Sequence, residues 1–530
     1  MAVAGAGGGT LTQPSPRGRG LLRRGFLAGA AVGLPRVAVG QAARAVLTVA
    51  VAKIANTGLL DPLREQSSNA SERYLGLVLE TPIGRNQQGR LERVPGLAES
   101  WRRVDTRTVE LTLRAGVVMH DGRVMTAEDV AWSFGPRMFG GDTPGDAQAV
   151  ARRHFPTLER VTAAGPLTVV VVNRTPDLTL EGRLAAGGAE VVSAAAHQAA
   201  GWAAAARRPV GTGAYRVASF RPDVELVLEA HDGWWGGRPG LAGVRFLEVP
   251  EAAARLDGLR SGQYGLAADV GPDQIADIER DKRFEVVGGL VPNHRIVAFD
   301  HHHPALRDPR VRLAMAHAVD GQAIVDGLWA GRAGVPAGLQ FPFYGPMFVE
   351  GWTVPAYDPG RAASLLKDAG YKGEPVPYRI RNNYYTAEIS TAQVLVEMWR
   401  AVGLNVVIQV CENWSQVLDT SRPRGVRDWS NSAVFDDPVS SLVNQHGPNG
   451  AQQTNGEWSN AEMNRLSPLL EGGEDMGERR RIFGRMLQVC EREDPAYVVL
   501  HQNASFTAKR RDFGWRASPS FFLDLARGLV

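Results

Sequence analysis

Two cysteines in 530 residues, Cys411 and Cys490, cannot furnish the thiolate set of a finger-type zinc site. They permit one disulfide or two buried free thiols, and both readings stay open. No uninterrupted apolar run reaches the roughly 18 residues of a membrane span. No G-x-S-x-G elbow presents a serine nucleophile, and no H-E-x-x-H presents a zinc hydrolase. In PVGTGAYR, Gly211 and Gly213 lack a third glycine and a following lysine. That excludes a dinucleotide fingerprint and a phosphate loop, and leaves a tight turn. Residues 1–45 hold six arginines and no acidic residue.

That acid-free stretch reads as an address, not a fold. Arg23-Arg24, then Phe26-Leu27, a short apolar stretch and small residues succeed one another in the order of a twin-arginine export signal. Cleavage fits after Gly40 or after Ala45. Loss of residues 1–45 takes the formal charge from +3 to −3. The remaining chain is slightly acidic, so nucleic acid has no electrostatic case as a partner. No cysteine stands near the cleavage region for a lipid anchor. These features place the protein in the periplasm as a soluble, unanchored chain. Its 44% hydrophobic and 22% charged residues fit a globular protein, and its length calls for two or three domains.

Beyond residue 45 the chain mixes strands and helices. AVLTVAVA reads as a strand, as does TVELTLRAG with Val109, Leu111 and Leu113 on one face. TAEDVAWSF opens a helix with Thr126 as N-cap and Asp129 three residues on. GPLTVVVVN reads as a buried strand, and residues 194–208 as a helix. GAYRVASF, VELVLEAH, GVRFLEVP and HRIVAF read as strands, with a helix over 251–261. Asp308-Pro309 and Asp358-Pro359 each start a helix. Gly370 stops the second. A helix carrying Ile389, Ala392, Val396 and Trp399 ends at Gly403 and leads into a strand alternating Val406, Ile408 and Val410, an α/β unit.

Several residues invite a chemical role. His301, His302 and His303 precede a proline in a loop. An extended chain puts only His301 and His303 on one face, so solvated loop histidines are the plainer reading. His120-Asp121-Gly122 reads as turn chemistry. Of Tyr384, Tyr385, Trp414, Trp429, Phe435 and Trp458, several fall at loop or element ends, where ligand contacts gather, and core packing stays open for each. Trp399 belongs to the core.

The stretch VPGLAESWRRVDTRTVELTLRAGVVMHDGRVMTAEDVAWSF resembles the periplasmic solute-binding proteins of ABC importers, family 5, the dipeptide, oligopeptide and nickel-binding type. The resemblance continues through PVGTGAYRVASF, LEAHDGWWGGRPGLAGVRFLEVP, LRDPRVRLAMAHAVDGQAIVDGLWAG and YDPGRAASLLKDAGY, nearly the whole chain past the signal. It implies an α/β, two-lobed, three-domain binding protein with a hinge between the lobes. One lobe would comprise 46–88, 208–300 and 500–530, the extra domain 89–207, and the second lobe 301–499. It implies a monomer without catalysis or cofactor that passes a peptide or peptide-like solute to a membrane permease. Peptide-binding relatives carry an aspartate for the ligand's α-amino group in a segment of the form A-D-Y-x-x-P. Here that segment is Ala433-Val434-Phe435-Asp436-Asp437-Pro438, with Val434 in the aspartate's place. Either Asp436 or Asp437 takes over the ammonium, or the ligand has none. Val434, Phe435, Asp436, Asp437, Tyr384, Tyr385 and Trp414 are the candidate ligand contacts. Two other readings stand beside this one. One is a periplasmic metal-binding protein or enzyme using His301, His303, Asp436 and Asp437. The other is a chaperone-like or sensor protein presenting ligand to a receptor.

Overall fold

The structure, a computed structural model, describes residues 44–65, 69–382 and 384–529. The export-signal stretch 1–43 lies outside them. No helix among the described residues is long and apolar enough to cross a membrane.

One mixed sheet of ten strands organises the molecule. Its spatial order begins Val406–Cys411, Val376–Arg381, Val426–Ser432, Phe284–Phe299 and Tyr497–Arg510. It continues Leu266–Ala268, Val46–Val51, Gly243–Glu248, Glu225–Ala230 and Tyr215–Arg221. The first strand of the chain is therefore interior, parallel to both of its neighbours. Val49, Ala50 and Val51 are buried accordingly.

The two long strands, Phe284–Phe299 and Tyr497–Arg510, run through both halves of the sheet. Leu290 pairs with Ala504 and His294 with Gln502, so the register slips between them. A bulge of this kind bends a strand. Pro292 lies in the slip, and its carbonyl accepts the N–H of Ala433 at 2.8 Å. Sequence periodicity shows only the last six residues of the first strand. Gly288, Gly289 and Pro292 interrupt the pattern earlier. Gly288 has φ +121°, and a Cβ there would lie 2.0 Å from the Ser505 carbonyl oxygen. Only glycine fits.

Separate apolar cores flank the bend. Val49, Tyr74, Leu77, Tyr215, Leu228 and Phe246 fill one, beneath helix Asn69–Val78. Helices Pro309–His317, Gly321–Trp329, Pro359–Ala369 and Glu388–Ala401 pack on the other half. Asp308 and Asp358 cap their helices, accepting the N–H groups of Arg310 and Arg361. Gly370 ends the second in the left-handed region, φ +70°. Trp399 is fully buried and donates to the Met315 carbonyl at 3.0 Å. Another core gathers Phe435, Leu442, Trp458, Met463 and Phe483.

A second sheet, antiparallel and four-stranded, orders Ala98–Asp105, Thr108–Leu113, Thr168–Asn173 and Leu158–Gly165. Helix Ala127–Phe134 packs on it with the full capping box at Thr126 and Asp129.

Three sequence expectations change. Helix 194–205 is broken at Gly201, which adopts φ 72° and ψ 165°. Val410 is 58% exposed, because its strand is the outermost of the large sheet and Cys411 turns inward instead. His303 is buried, not solvated: its Nδ1 accepts the Ala305 N–H at 3.3 Å. Cys411 and Cys490 are both buried free thiols.

Candidate functional site

A cavity of about 550 Å³ is walled by both halves of the large sheet. Helix Asn69–Val78 supplies Glu72, Leu75 and Gly76 to its wall, and the next residues add Leu79 and Glu80. Strand Ile83–Arg85 contributes Arg85. Trp234 and Trp235 form an aromatic side, and Phe522, Asp524 and Arg527 come from the C-terminal segment. Pro292, Ser432, Ala433 and Val434 close it from the bend and the far half of the sheet. A volume of this size suits a small solute.

The His120 turn and the two-glycine segment meet behind this wall. Gly211 and Gly213 do not simply turn the chain. A Cβ on Gly213 would lie 2.4 Å from the Leu77 carbonyl oxygen, and one on Gly211 would lie 2.6 Å from that of Val78. The pair is small because it is pressed against the end of helix Asn69–Val78. His120 bridges it: Nε2 donates to the Gly213 carbonyl at 2.9 Å, and Nδ1 accepts the Gly211 N–H at 3.3 Å. That fixes the neutral tautomer, and burial holds the ring's pKa down to about 4. Between the glycines, the Thr212 hydroxyl donates to Glu80 at 2.9 Å. Glu80 also accepts the indole N–H groups of Trp234 at 3.2 Å and Trp235 at 2.9 Å. One carboxylate thus orients both tryptophans. Burial raises its pKa, and the three donors oppose that rise. Arg527 lies 4.6 and 5.2 Å from the two indole rings.

Glu80→Ala would leave three donors of the wall without their acceptor. The expected loss is about 3 kcal/mol of unfolding free energy, with a red shift of tryptophan emission as the indoles loosen. Urea titration followed by fluorescence measures both, and a variant within 0.5 kcal/mol, roughly the surface-substitution range, would count against this role of Glu80.

The candidate contacts separate. Val434 lines the cavity. Phe435 is buried and packs on Gly182, where a Cβ would lie 2.9 Å from its ring. Asp436 sits at a half-exposed edge, 3.4 Å from Arg93. Asp437 points elsewhere. It caps the short turn Pro438–Ser440 through the Val439 N–H and pairs with Arg479 at 2.7 Å. Neither aspartate lines the cavity. Tyr384 and Tyr385 border a much smaller space of about 50 Å³ with Arg73, Asp269 and Asn503. Asn56 donates to the Tyr384 hydroxyl at 3.3 Å, and Trp414 stands edge-on to the same ring, 5.1 Å away. Among the described residues no group of three or more His, Cys, Asp or Glu is placed to hold a metal ion. His301 stands edge-on to His302 at 4.4 Å, apart from the partners of either aspartate.

Sequence reasoning passed over Glu80, Arg85, Trp234, Trp235 and Arg527. The adjacent tryptophans were the available signal, since two large aromatics in a glycine-rich loop need a wall to rest on.

Comparison with known proteins gives a consistent result. The family described as bacterial extracellular solute-binding proteins, family 5 Middle, matches residues 92–453. The dipeptide-binding protein of Escherichia coli K12 is 24% identical over 468 residues, covering 81% of this chain and 85% of that protein. The crystal structure of a dipeptide-binding protein from Pseudoalteromonas sp. SM9913 with Met-Leu superposes with a TM-score of 0.81 at 20% identity, over 91% of this chain and 99% of that one. The structure of AgaA from A. tumefacien R10 with agropinic acid gives 0.78 at 19% identity, over 91% and 97%. The fold is the same throughout: two-lobed and α/β.

Proposed function

The chain belongs to family 5 of the bacterial extracellular solute-binding proteins, and from that premise we propose that it captures a peptide or peptide-like solute and delivers it to the permease of an ABC importer. The observation that carries this reading is the cavity, walled by both halves of the large sheet where its two long strands bend. A ligand touching both walls favours the closed form, because it binds that form better than an open one. The ligands of the relatives, a dipeptide, Met-Leu and agropinic acid, support a peptide-like class of solute. Capture and release need no bond chemistry, and the protein is a carrier, not an enzyme.

In this reading the arginine-pair stretch exports the chain to the periplasm, where it works as a soluble monomer. One lobe spans 46–88, 208–300 and 500–530, the extra domain 89–207, and the second lobe 301–499. Val434 marks the departure from relatives that grip an α-ammonium. With an apolar side chain at that wall, a free amino terminus gains no charge partner there.

Thermal melts of the purified protein against peptides with free and acetylated amino termini, opines, sugars and metal chelates test the proposal. A bound solute at 100 times its Kd stabilises by about 2.7 kcal/mol. The expected hits are peptide-like, with no advantage for the free amino form. Failure of every class to move the melt would refute solute binding.

A further inference from the structure

Each charged side chain that lines the cavity, among the described residues, is answered from within its own wall. Glu80 accepts from Thr212, Trp234 and Trp235 and stands 3.9 Å from Arg527. Asp524 accepts the N–H groups of Ala526 and Arg527. Glu190 is buried and accepts the Gly188 N–H at 2.7 Å. Glu72 and Arg85 act on each other. Burial raises the Glu72 carboxyl and Arg85 opposes that rise, while burial lowers the Arg85 guanidinium and Glu72 opposes that fall. Nε and Nη2 of Arg85 are closed to solvent and do not face the cavity. Val434 lines the cavity at the place where the A-D-Y-x-x-P segment has its aspartate.

A peptide with free termini brings an ammonium and a carboxylate into this space. Neither meets a counter-charge that is not already engaged, and burying a charge without a partner is costly. Uncharged hydrogen-bonding capacity, by contrast, is open. Gln87 engages its Oε1 with the Ser518 and Ser520 hydroxyls, at 2.8 and 3.0 Å. Its Nε2 is open to solvent and has no hydrogen bond among the described residues. Gln88 is exposed and turns its Nε2 toward Asp524 at 3.5 Å, which leaves its Oε1 to accept. Both glutamines line the cavity. One N–H donor and one carbonyl acceptor are what the C=O and N–H of an amide require. Leu75, Leu79, Trp235, Phe522 and Val434 supply apolar surface to the same cavity.

We propose that the cavity selects an uncharged amide, a cyclic or doubly capped dipeptide whose amide bonds to Gln87 and Gln88 and whose side chains rest on the apolar wall. This assignment rests on the solute-binding reading above. It adds that the solute carries no charged terminus.

The test uses matched pools. One holds linear dipeptides of Leu, Ile, Val, Met and Phe. The others hold their uncharged counterparts: the cyclic dipeptides, in which the two termini have condensed with loss of water, and the N-acetylated dipeptide amides. Native mass spectrometry of the purified protein compares capture from each pool, for wild type, Val434→Asp and Gln88→Met. Wild type is expected to favour an uncharged pool by about 100-fold or more, because a linear dipeptide buries two ions without partners. Val434→Asp supplies a partner for the ammonium and is expected to shrink that preference by about tenfold or more. Gln88→Met removes an acceptor and is expected to weaken capture of the uncharged pool by about fivefold. Thermal melts establish that the variants are folded. Equal or better capture of the linear pool by wild type overturns the assignment. So does an unchanged preference in Val434→Asp, or unchanged capture in Gln88→Met. If neither uncharged pool binds while another solute stabilises wild type, the assignment is wrong and solute binding stands. If no solute of any class binds, both readings fall.

Discussion

Arg137→Met is expected to lower the unfolding free energy by about 3–5 kcal/mol, the cost of leaving one member of a buried ion pair alone. Arg137 and Asp61 are both fully buried, and Nη2 reaches the two carboxylate oxygens at 3.0 and 2.9 Å. The same guanidinium donates to the Glu190 carbonyl at 3.3 Å. Pro62 and Glu190 both line the cavity, so the pair ties together two stretches of its wall. Urea unfolding of the single variant gives the loss. The double variant Asp61→Leu/Arg137→Met removes both charges and is expected to recover part of it, because the residual penalty of the single change is a stranded carboxylate. No recovery in the double variant would mean that Arg137 acts through packing alone.

Acid is the second strong perturbation. Burial holds six imidazoles down: His154, His294, His446 and His501 to about 3, and His120 and His197 to about 4. Each has a lower pKa folded than unfolded, so the unfolded chain binds the extra proton between about 6.5 and 4. Stability therefore falls as pH falls through that window, by about 1.4 kcal/mol per pH unit for each ring. Buried carboxyls act in the opposite sense. Glu190, Glu471 and Glu491 are raised to about 7 by burial, and burial with Glu388 close by raises Asp428 as well. Between about 4.5 and 7 the folded chain binds their protons, which offsets most of the histidine effect. Below about 4.5 the offset is exhausted. With two rings left uncompensated, stability is expected to fall by about 3 kcal/mol per pH unit from pH 6.5 to 4.5 and then to collapse near pH 4. Unfolding free energies measured across that range give the proton count as their slope. An uptake of fewer than two protons between pH 4.5 and 4 would contradict the buried-imidazole account.

Both perturbations reflect composition. The chain holds five lysines against 54 arginines. Buried or nearly buried arginines such as Arg183, Arg295 and Arg427 are paired with Asp177, Asp428 and Glu457. A planar fork with five donors can be satisfied inside a protein where an ammonium is harder to place.

Local signals in the sequence determined much of the fold. Asp308, Asp358 and Thr126 cap their helices because a side-chain oxygen reaches an N–H only two or three residues away. Trp399 falls on the core side because helical periodicity places it with Ala392 and Val396. The ordered motifs sufficed to indicate the family. The site was a different matter. Asp436 and Asp437 are neighbours in the chain, yet one meets Arg93 and the other Arg479. Adjacent residues in an extended chain point apart, and their partners lie hundreds or tens of residues away. Glu72, Arg85, Trp234, Val434 and Arg527 share no spacing rule, and only tertiary structure brings them to one cavity. Which buried arginines pair with a carboxylate, as Arg183 does, and which bond to carbonyls, as Arg255 and Arg379 do, is decided the same way, because every arginine carries the same charge in the sequence.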